Sequence, residues 1–517
     1  MKTPHDREID RLIRQLALDS AKPPAERNKL GQFATPTVLA RELLVYALTL
    51  IPPDQRLRFL DPAVGTGAFF SALLAAGAGE RIDQALGFEI DPHYGEPAKM
   101  IWQGTALQVQ IADFTAVKPP AAGVNLLVSN PPYVRHHHLD AHTKQRLLAL
   151  GEQASGMALS GLAGLYAHFM AIAHRWMAPG AIACWLIPSE FMDVNYGREV
   201  KRYLRERVTL LRVHRFDPVD AQFDDALVSS AVVWLRNNPP PPGHAVDFSY
   251  GGTHSQPRVR RDVLLSALAQ ATKWTRFPVL GIQSNHDRPR LKDLFDVRRG
   301  IATGDNGFFI LSAERVNELG LPWDQMTPVL PSPRYLKSDR IDADGNGNPI
   351  VERPQFLVDC RLPETVVRGR YPALWAYFEG GRDAMLQRYI CAHRPLWYLQ
   401  ESRAAAPFLC TYMGRTDGGQ AKPFRFLLNR SRAVVANTYL NLYPKPHVAQ
   451  RLAENPALGV QVWEALNQLD PADMLAEGRV YGGGLHKIEP KELAQVPVEA
   501  LADLLGLTGQ AALALAA

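Results

Sequence analysis

Apolar residues in this 517-residue chain recur with two different periods. Near the start, Ile9, Leu12, Ile13 and Leu16 are spaced helically among the charges of residues 5–19, which predicts an amphipathic opening helix. From Arg58 to Arg236 short apolar runs alternate with helical segments. RFLDPA, QALGFEI, VQIADF, NLLVSN, AIACWLIP, LLRVHRF and VSSAVVWL predict strands, while GAFFSALLAAG, PHYGEPAKMIWQ, LYAHFMAIAHRWM and GREVKRYLRER predict helices. Such alternation predicts an α/β domain, a largely parallel sheet with helices on both faces. At NNPPPPG, residues 237–243, the chain changes character, and a proline run of that kind is expected to be an extended linker. Beyond it the sequence is less regular and rich in Arg, Pro and Gly, with no clean internal repeat. The last stretch, from KELAQV onward, predicts one or two small helices. The expected layout is a helical extension over 1–30, a domain over 31–237, a linker over 238–254, a second mixed α/β domain over 255–490 and a helical segment over 491–517.

Composition narrows the class without fixing it. Hydrophobic residues make up 46% and charged residues 21%, which suits a globular chain with a sizeable core. A formal net charge of +5 permits a polyanionic partner without demanding one. Cys184, Cys360, Cys391 and Cys410 lie far apart with no CxxC pair, so a reduced, intracellular protein is expected. The opening MKTPHDREIDRLIRQL has no apolar core of a secretory signal, and no stretch reaches the apolar length of a membrane span. A cytoplasmic location follows as the expectation.

The candidate chemistry sits at the ends of successive predicted strands. Asp61-Pro-Ala63-Val-Gly65-Thr-Gly67 is a strand end with a glycine turn that opens a helix, where backbone can approach a ligand closely. It is neither a GxGxxG fingerprint nor a GxxxxGK[ST] phosphate loop. Glu89 ends the next strand, where an acid can accept both hydroxyls of a ribose. Asp113 ends the one after, placed to accept from an adenine amino group with Phe114 beside the ring. Together these predict a nucleoside site with no extra cation for a polyphosphate.

The fourth strand ends in Asn130-Pro131-Pro132-Tyr133. Two prolines fix an extended backbone with free carbonyls. The Asn130 amide oxygen and the Pro131 carbonyl offer two fixed acceptors for a planar amino group, and Tyr133 offers an aromatic face for a base.

In this order FATPTVLA, DPAVGTGAFF, GFEIDP, IADF and SNPPYV resemble the motifs of the γ group of DNA adenine-N6 methyltransferases of restriction–modification systems. The resemblance implies a class I S-adenosylmethionine-dependent methyltransferase fold, a mixed seven-stranded Rossmann-like sheet, followed by a mixed α/β target-recognition domain. It implies that S-adenosylmethionine lies over Asp61, Ala63, Gly65 and Gly67, with Thr35 and Pro36 closing over its methionine end. Glu89 would take the ribose, Asp113 and Phe114 the adenine, and Asn130 would border both cofactor and base. Asn130, Pro131, Pro132 and Tyr133 would form the catalytic set. Phe223 falls where the family places an aromatic on the extruded base, with Phe216 a competitor. The implied partner is double-stranded DNA, acted on by a monomer.

His136, His137 and His138 are consecutive, a poor arrangement for three ligands on one ion, and no Cys or carboxylate stands at ligand spacing, so no metal is expected. A loop beside the DNA backbone, or simple solvation, are the readings left for them. Basic residues recur from Arg258 to Arg299, among them Arg260, Arg261, Lys273, Arg276, Arg288, Arg290, Lys292 and Arg298, as either a phosphate-contacting or a solvated face. With no endonuclease motif in view, any cutting is expected of a separate protein. The competing readings are a methyltransferase for protein glutamine or RNA, and a DNA-recognition subunit of a defence complex.

Overall fold

A computed structural model describes residues 3–217, 229–277, 288–415, 422–481 and 485–507. The chain divides into two compact units, the first running to Gln283 apart from a few residues near 481–483, the second from Ser284 onward.

The first unit is built on a nine-stranded sheet of order β3-β2-β1-β4-β5-β7-β6-β8-β9. Its strands are β1 (Leu57–Asp61), β2 (Ile82–Glu89), β3 (Leu107–Ile111), β4 (Val124–Ser129), β5 (Met177–Pro188), β6 (Thr209–Arg215), β7 (Ser230–Arg236), β8 (Ala245–Gly252) and β9 (Pro257–Leu264). β3, β2, β1, β4 and β5 run parallel, whereas β7 inserts antiparallel between β5 and β6. The first seven strands therefore make the mixed seven-stranded arrangement that the family resemblance implies.

Helices α1 (Pro4–Ala21), α2 (Pro24–Leu30), α3 (Thr37–Thr49), α4 (Ala68–Ala75), α5 (Pro92–Trp102), α6 (Ala141–Ser155), α7 (Leu165–Ala173), α8 (Gly197–Glu206) and α9 (Leu265–Gln270) belong to this unit. Two hydrophobic clusters hold it together. One gathers Leu60, Phe88, Leu127, Tyr166 and Trp185, the other Leu43, Phe59, Phe70, Leu126 and Trp234. Alternation along each strand explains why both exist. Neighbours such as Leu126 and Leu127 point to opposite faces, and both are fully buried.

Two expectations are corrected. Residues 238–254 are not a free linker. The proline run only turns the chain, and Val246 and Phe248, buried on alternate positions, pin β8 beside β6. β9 then closes a hairpin on β8, so residues 255–264 extend the first sheet instead of opening the second domain. The charges of β9 suit its place at the sheet edge, where they oppose edge-to-edge pairing. Of the basic run, Arg258 pairs with Asp217 at 2.6 Å and Arg260 with Asp247 at 3.0 Å.

The opening helix forms where expected, capped by Thr3, but with its faces reversed. Ile9, Leu12, Ile13 and Leu16 are 40–68% exposed, while Arg11 is 1% exposed. Arg11 donates to Glu8, Thr37 and Thr66, and Thr66 donates to Gln15. A polar face, satisfied bond by bond, seats this helix on the glycine turn. The extension expected over 1–30 is thus part of the first unit.

In the second unit a five-stranded sheet includes Phe295–Arg299, Tyr439–Pro444, Phe408–Thr411 and Phe426–Asn429. A four-stranded sheet includes Met326–Leu330 and Gln355–Val358. With the helices Pro372–Leu386 and Leu458–Asn467 this is a mixed α/β body. No helix among the described residues is long and apolar enough to cross a membrane.

Candidate active site

Four adjacent parallel strands, β3, β2, β1 and β4, deliver their C-terminal ends to one edge of the sheet. Asp61 ends β1, Glu89 ends β2, Asp113 follows β3 by two residues and Asn130 follows β4 directly. A cavity of about 680 Å³ opens there, lined among others by Ala63, Gly65, Glu89, Asp113, Phe114, Asn130 and Pro132. Seven of the residues singled out in the sequence therefore meet on one wall.

The glycine turn has two different jobs. Gly65, at φ 52°, has open space where a Cβ would stand, so its backbone faces the cavity bare. Gly67, at φ 94°, caps α4, and a Cβ there would lie 2.2 Å from the Trp102 indole nitrogen. Glu89 holds the turn from beside it, accepting from the Gly65 N–H at 3.1 Å and the Asp91 N–H at 2.9 Å. Burial raises its pKa above the ordinary carboxylate range. Asp61 lies behind the wall, 1% exposed, accepting from the Ala63 N–H and the Ser129 hydroxyl, both at 3.1 Å. Burial lifts its carboxyl to about 7, with the nearby Glu89 charge adding to the rise.

Asn130 is the best-defined group of the site. Its Nδ2 donates to the Phe33 carbonyl at 3.1 Å and approaches the Thr35 hydroxyl at 3.2 Å. A carbonyl can only accept, so the amide cannot turn over without losing that bond. The consequence is an Oδ1 that is buried and has no hydrogen-bond partner. Leaving such an acceptor unmade costs about 1–3 kcal/mol, and Oδ1 remains open to a donor on an incoming group. Gly31 makes the approach possible. Its left-handed backbone lies so close to Tyr133 that a Cβ would stand 2.3 Å from the Tyr133 nitrogen.

Several of the expected residues lie off the wall or are nearly covered. Thr35 touches Asn130 Nδ2, and Pro36 precedes α3 as its cap. Pro131 is buried. Tyr133, expected to present a stacking face, is 8% exposed, with its hydroxyl donating to the Leu186 carbonyl and its ring against Phe33. Phe114 is 1% exposed and packs on Phe88, Phe169 and Trp176. Phe223 lies outside the described residues, and Phe216 is buried at 3%. His136–His138 form a single turn, of which His138 lines the cavity.

The wall also holds residues the sequence reading passed over. Ile90 is 67% exposed, an apolar side chain left open at the mouth of a cavity. Arg146, from α6, pairs with Asp113 at 2.9 Å and donates to Thr115 at 3.0 Å. Lys22 and Gln32 converge on Asp91. Only the apolar residue directly after the acid in GFEIDP carries a local signal, while the others arrive from separate helices and loops.

The donor set suits a nucleoside: a bare glycine backbone, acids at two strand ends and an exposed apolar side chain between them. Its fit to S-adenosylmethionine rests on those groups and on the cavity's size, which lies in the range of small-molecule sites.

The chain also resembles known proteins. Residues 276–510 match the family model "Type II methyltransferase M.Eco57I, C-terminal domain", and residues 101–221 match "Eco57I restriction-modification methylase". The chain is 29% identical over 507 residues to the type II methyltransferase M.XamI of Xanthomonas campestris pv. amaranthicola, covering 92% of this chain and 86% of that one. To the type II methyltransferase M.AccI of Acinetobacter calcoaceticus it is 23% identical, covering 90% and 85%. Its fold superposes on the type IIL restriction–modification enzyme MmeI with a TM-score of 0.53, at 14% identity, over 98% of this chain and 76% of that one. The fold is that of class I S-adenosylmethionine-dependent methyltransferases. The matches support a DNA methyltransferase of a restriction–modification system.

Proposed function

We propose that this protein methylates N6 of an adenine flipped out of a specific double-stranded DNA site, as the modification component of a restriction–modification system whose endonuclease is a separate protein. The observation that carries this reading is the buried, unpartnered Oδ1 of Asn130, aimed by the Phe33 carbonyl. An acceptor so fixed suits an exocyclic amino group, which has hydrogens to donate and a lone pair to be directed.

S-adenosylmethionine supplies an electrophilic sulfonium methyl. The chain's own residues do the rest by positioning and electrostatics. Asn130 Oδ1 and the Pro131 carbonyl accept the two amino hydrogens and so turn the nitrogen lone pair away from the backbone. The fixed Pro131–Pro132 backbone keeps that cradle rigid. Thr35 and Pro36 border the methionine end, and Asp61 and Gly67 hold the glycine turn whose Ala63 and Gly65 face the cofactor. Glu89 would hold the ribose and Asp113 the adenine amino group, with Ile90 exposed beside the ring and Phe114 backing it from within the core. Flipping the target costs a few kcal/mol, offset by phosphate contacts and by stacking. Tyr133 and Phe223 are the stacking candidates, and Tyr133 must be uncovered as the base enters.

The test is methylation of plasmid DNA with labelled S-adenosylmethionine, followed by nucleoside mass spectrometry. Wild type is expected to yield N6-methyladenine, and Asn130→Ala to lower kcat by about 10²–10³-fold, the scale of losing one preorganised group. N4-methylcytosine would reassign the base. Label in protein or RNA, with none in DNA, would overturn the reading.

A further inference from the structure

On the cavity wall beside Glu89 lies a knot of polar side chains that none of the assigned roles uses. Lys22, at the C-terminal cap of α1, donates from Nζ to Asp91 Oδ2 at 2.6 Å and to Gln32 Oε1 at 3.0 Å. Gln32 Nε2 donates to the same Asp91 oxygen at 2.8 Å. The other Asp91 oxygen caps α5 through the His93 N–H, and the Asp91 N–H donates to Glu89. The side chains of Lys22 and Asp91 are only 13% and 18% exposed, so this ion pair is shielded.

Asp91 is a necessary but awkward neighbour. It caps α5 and fixes one Glu89 oxygen through its backbone, yet its charge adds to the burial that already disfavours the charged form of Glu89. A protonated Glu89 is a poorer acceptor for two ribose hydroxyls. Lys22 places a compensating cation on the far side of Asp91. Gln32 adds no charge, and its amide orientation is set by the ammonium on one side and the carboxylate on the other. It also stands next to Phe33, whose carbonyl aims Asn130.

We infer that Lys22 is a positioning residue of the cofactor site. It acts through Asp91, offsetting the charge beside Glu89 and tying the N-terminal helices to the ribose-binding end. This rests on the reading that Glu89 binds the ribose of S-adenosylmethionine.

Calorimetric titration of the full chain with S-adenosylhomocysteine tests it without turnover. Lys22→Met leaves a shielded carboxylate uncompensated, and binding is expected to weaken by about tenfold or more. Adding Asp91→Asn, which keeps one oxygen for the α5 cap and removes the charge, while Gln32 turns its amide oxygen toward the side-chain nitrogen that replaces Oδ2, is expected to restore affinity to within about threefold of wild type. A side chain needed only for packing would not be rescued in this way. Lys22→Gln, shorter in charge but not in polarity, is expected to lose as much as Lys22→Met and carries the test should the latter not fold. Wild-type affinity in the Lys22 variants, or a double variant no better than the single one, overturns the inference. Failure of the wild type to bind S-adenosylhomocysteine overturns the cofactor reading, and the inference with it.

Discussion

Asn130 shows how one side chain's chemistry is decided by a residue far away in sequence. The amide has two ends, and β4 alone does not choose between them. The choice is made by the segment from Gly31 to Thr35, which lies along the Asn130–Tyr133 backbone and offers Nδ2 a carbonyl that can only accept. Gly31→Ala should break this alignment. Its Cβ would collide with backbone at a left-handed φ of 66°, and overpacking of this kind costs about 1–3 kcal/mol. A lowered melting temperature together with reduced methylation at saturating cofactor is the expected result. Asp61 makes a second prediction at this scale. Its carboxyl is ordinarily ionised above about 4 but here titrates near 7, so the folded chain binds a proton that the unfolded chain has lost. Stability from this group is therefore fullest at low pH and is lost as pH rises through 7. Melting curves of the ligand-free protein should show Asp61→Asn removing a fall in stability between about pH 4 and 7, the window that shift defines.

Among the elements, α1 separates what periodicity can report from what it cannot. The spacing of Ile9, Leu12, Ile13 and Leu16 correctly marks a helix, but it names the wrong face as buried. Arg11, Gln15 and Thr66 reverse the usual rule because each inward polar atom finds a partner. Arg11→Ala should therefore destabilise by about 3 kcal/mol, since it removes a buried cation with its bonds and leaves half-buried Glu8 with the Thr37 hydroxyl in place of an ion pair. Ile13→Glu, on the open face, should stay within about 0.5 kcal/mol of wild type. Thermal melts of the two variants measure the contrast. The strands of the first sheet were legible as apolar runs up to Arg236. β8 and β9 were not, because a proline run and a charged edge strand have the composition of a linker. In the site the same division holds. Residues fixed by strand ends, such as Glu89 and Asn130, could be read locally. Arg146 and Lys22 come from α6 and α1, and their meeting with Asp113 and Asp91 exists only after folding.

At the scale of the whole molecule, every residue lining the cavity comes from the first 169 positions. On the proposed reading, cofactor binding and target choice are then separable properties. A fragment spanning residues 1–283 should bind S-adenosylhomocysteine with the affinity of the full chain. It should lose site-specific methylation, which on the proposed reading needs the second unit for target recognition. Titration of the fragment and sequencing of methylated positions check the two halves independently. Affinity of the full chain for DNA should also fall steeply with salt, as counterion release requires of any protein that neutralises several phosphates.

The fixed Asn130 amide has one more consequence. An oxygen aimed at the incoming base admits a partner that offers hydrogen and repels one that offers another oxygen. On the proposed reading the cradle is a filter on what a flipped base carries at its edge: adenine passes, whereas hypoxanthine, the same ring with a keto group, meets oxygen with oxygen. A target site in which deamination has already turned adenine into hypoxanthine would be turned away before any chemistry, by the direction in which a single carbonyl at Phe33 happens to point.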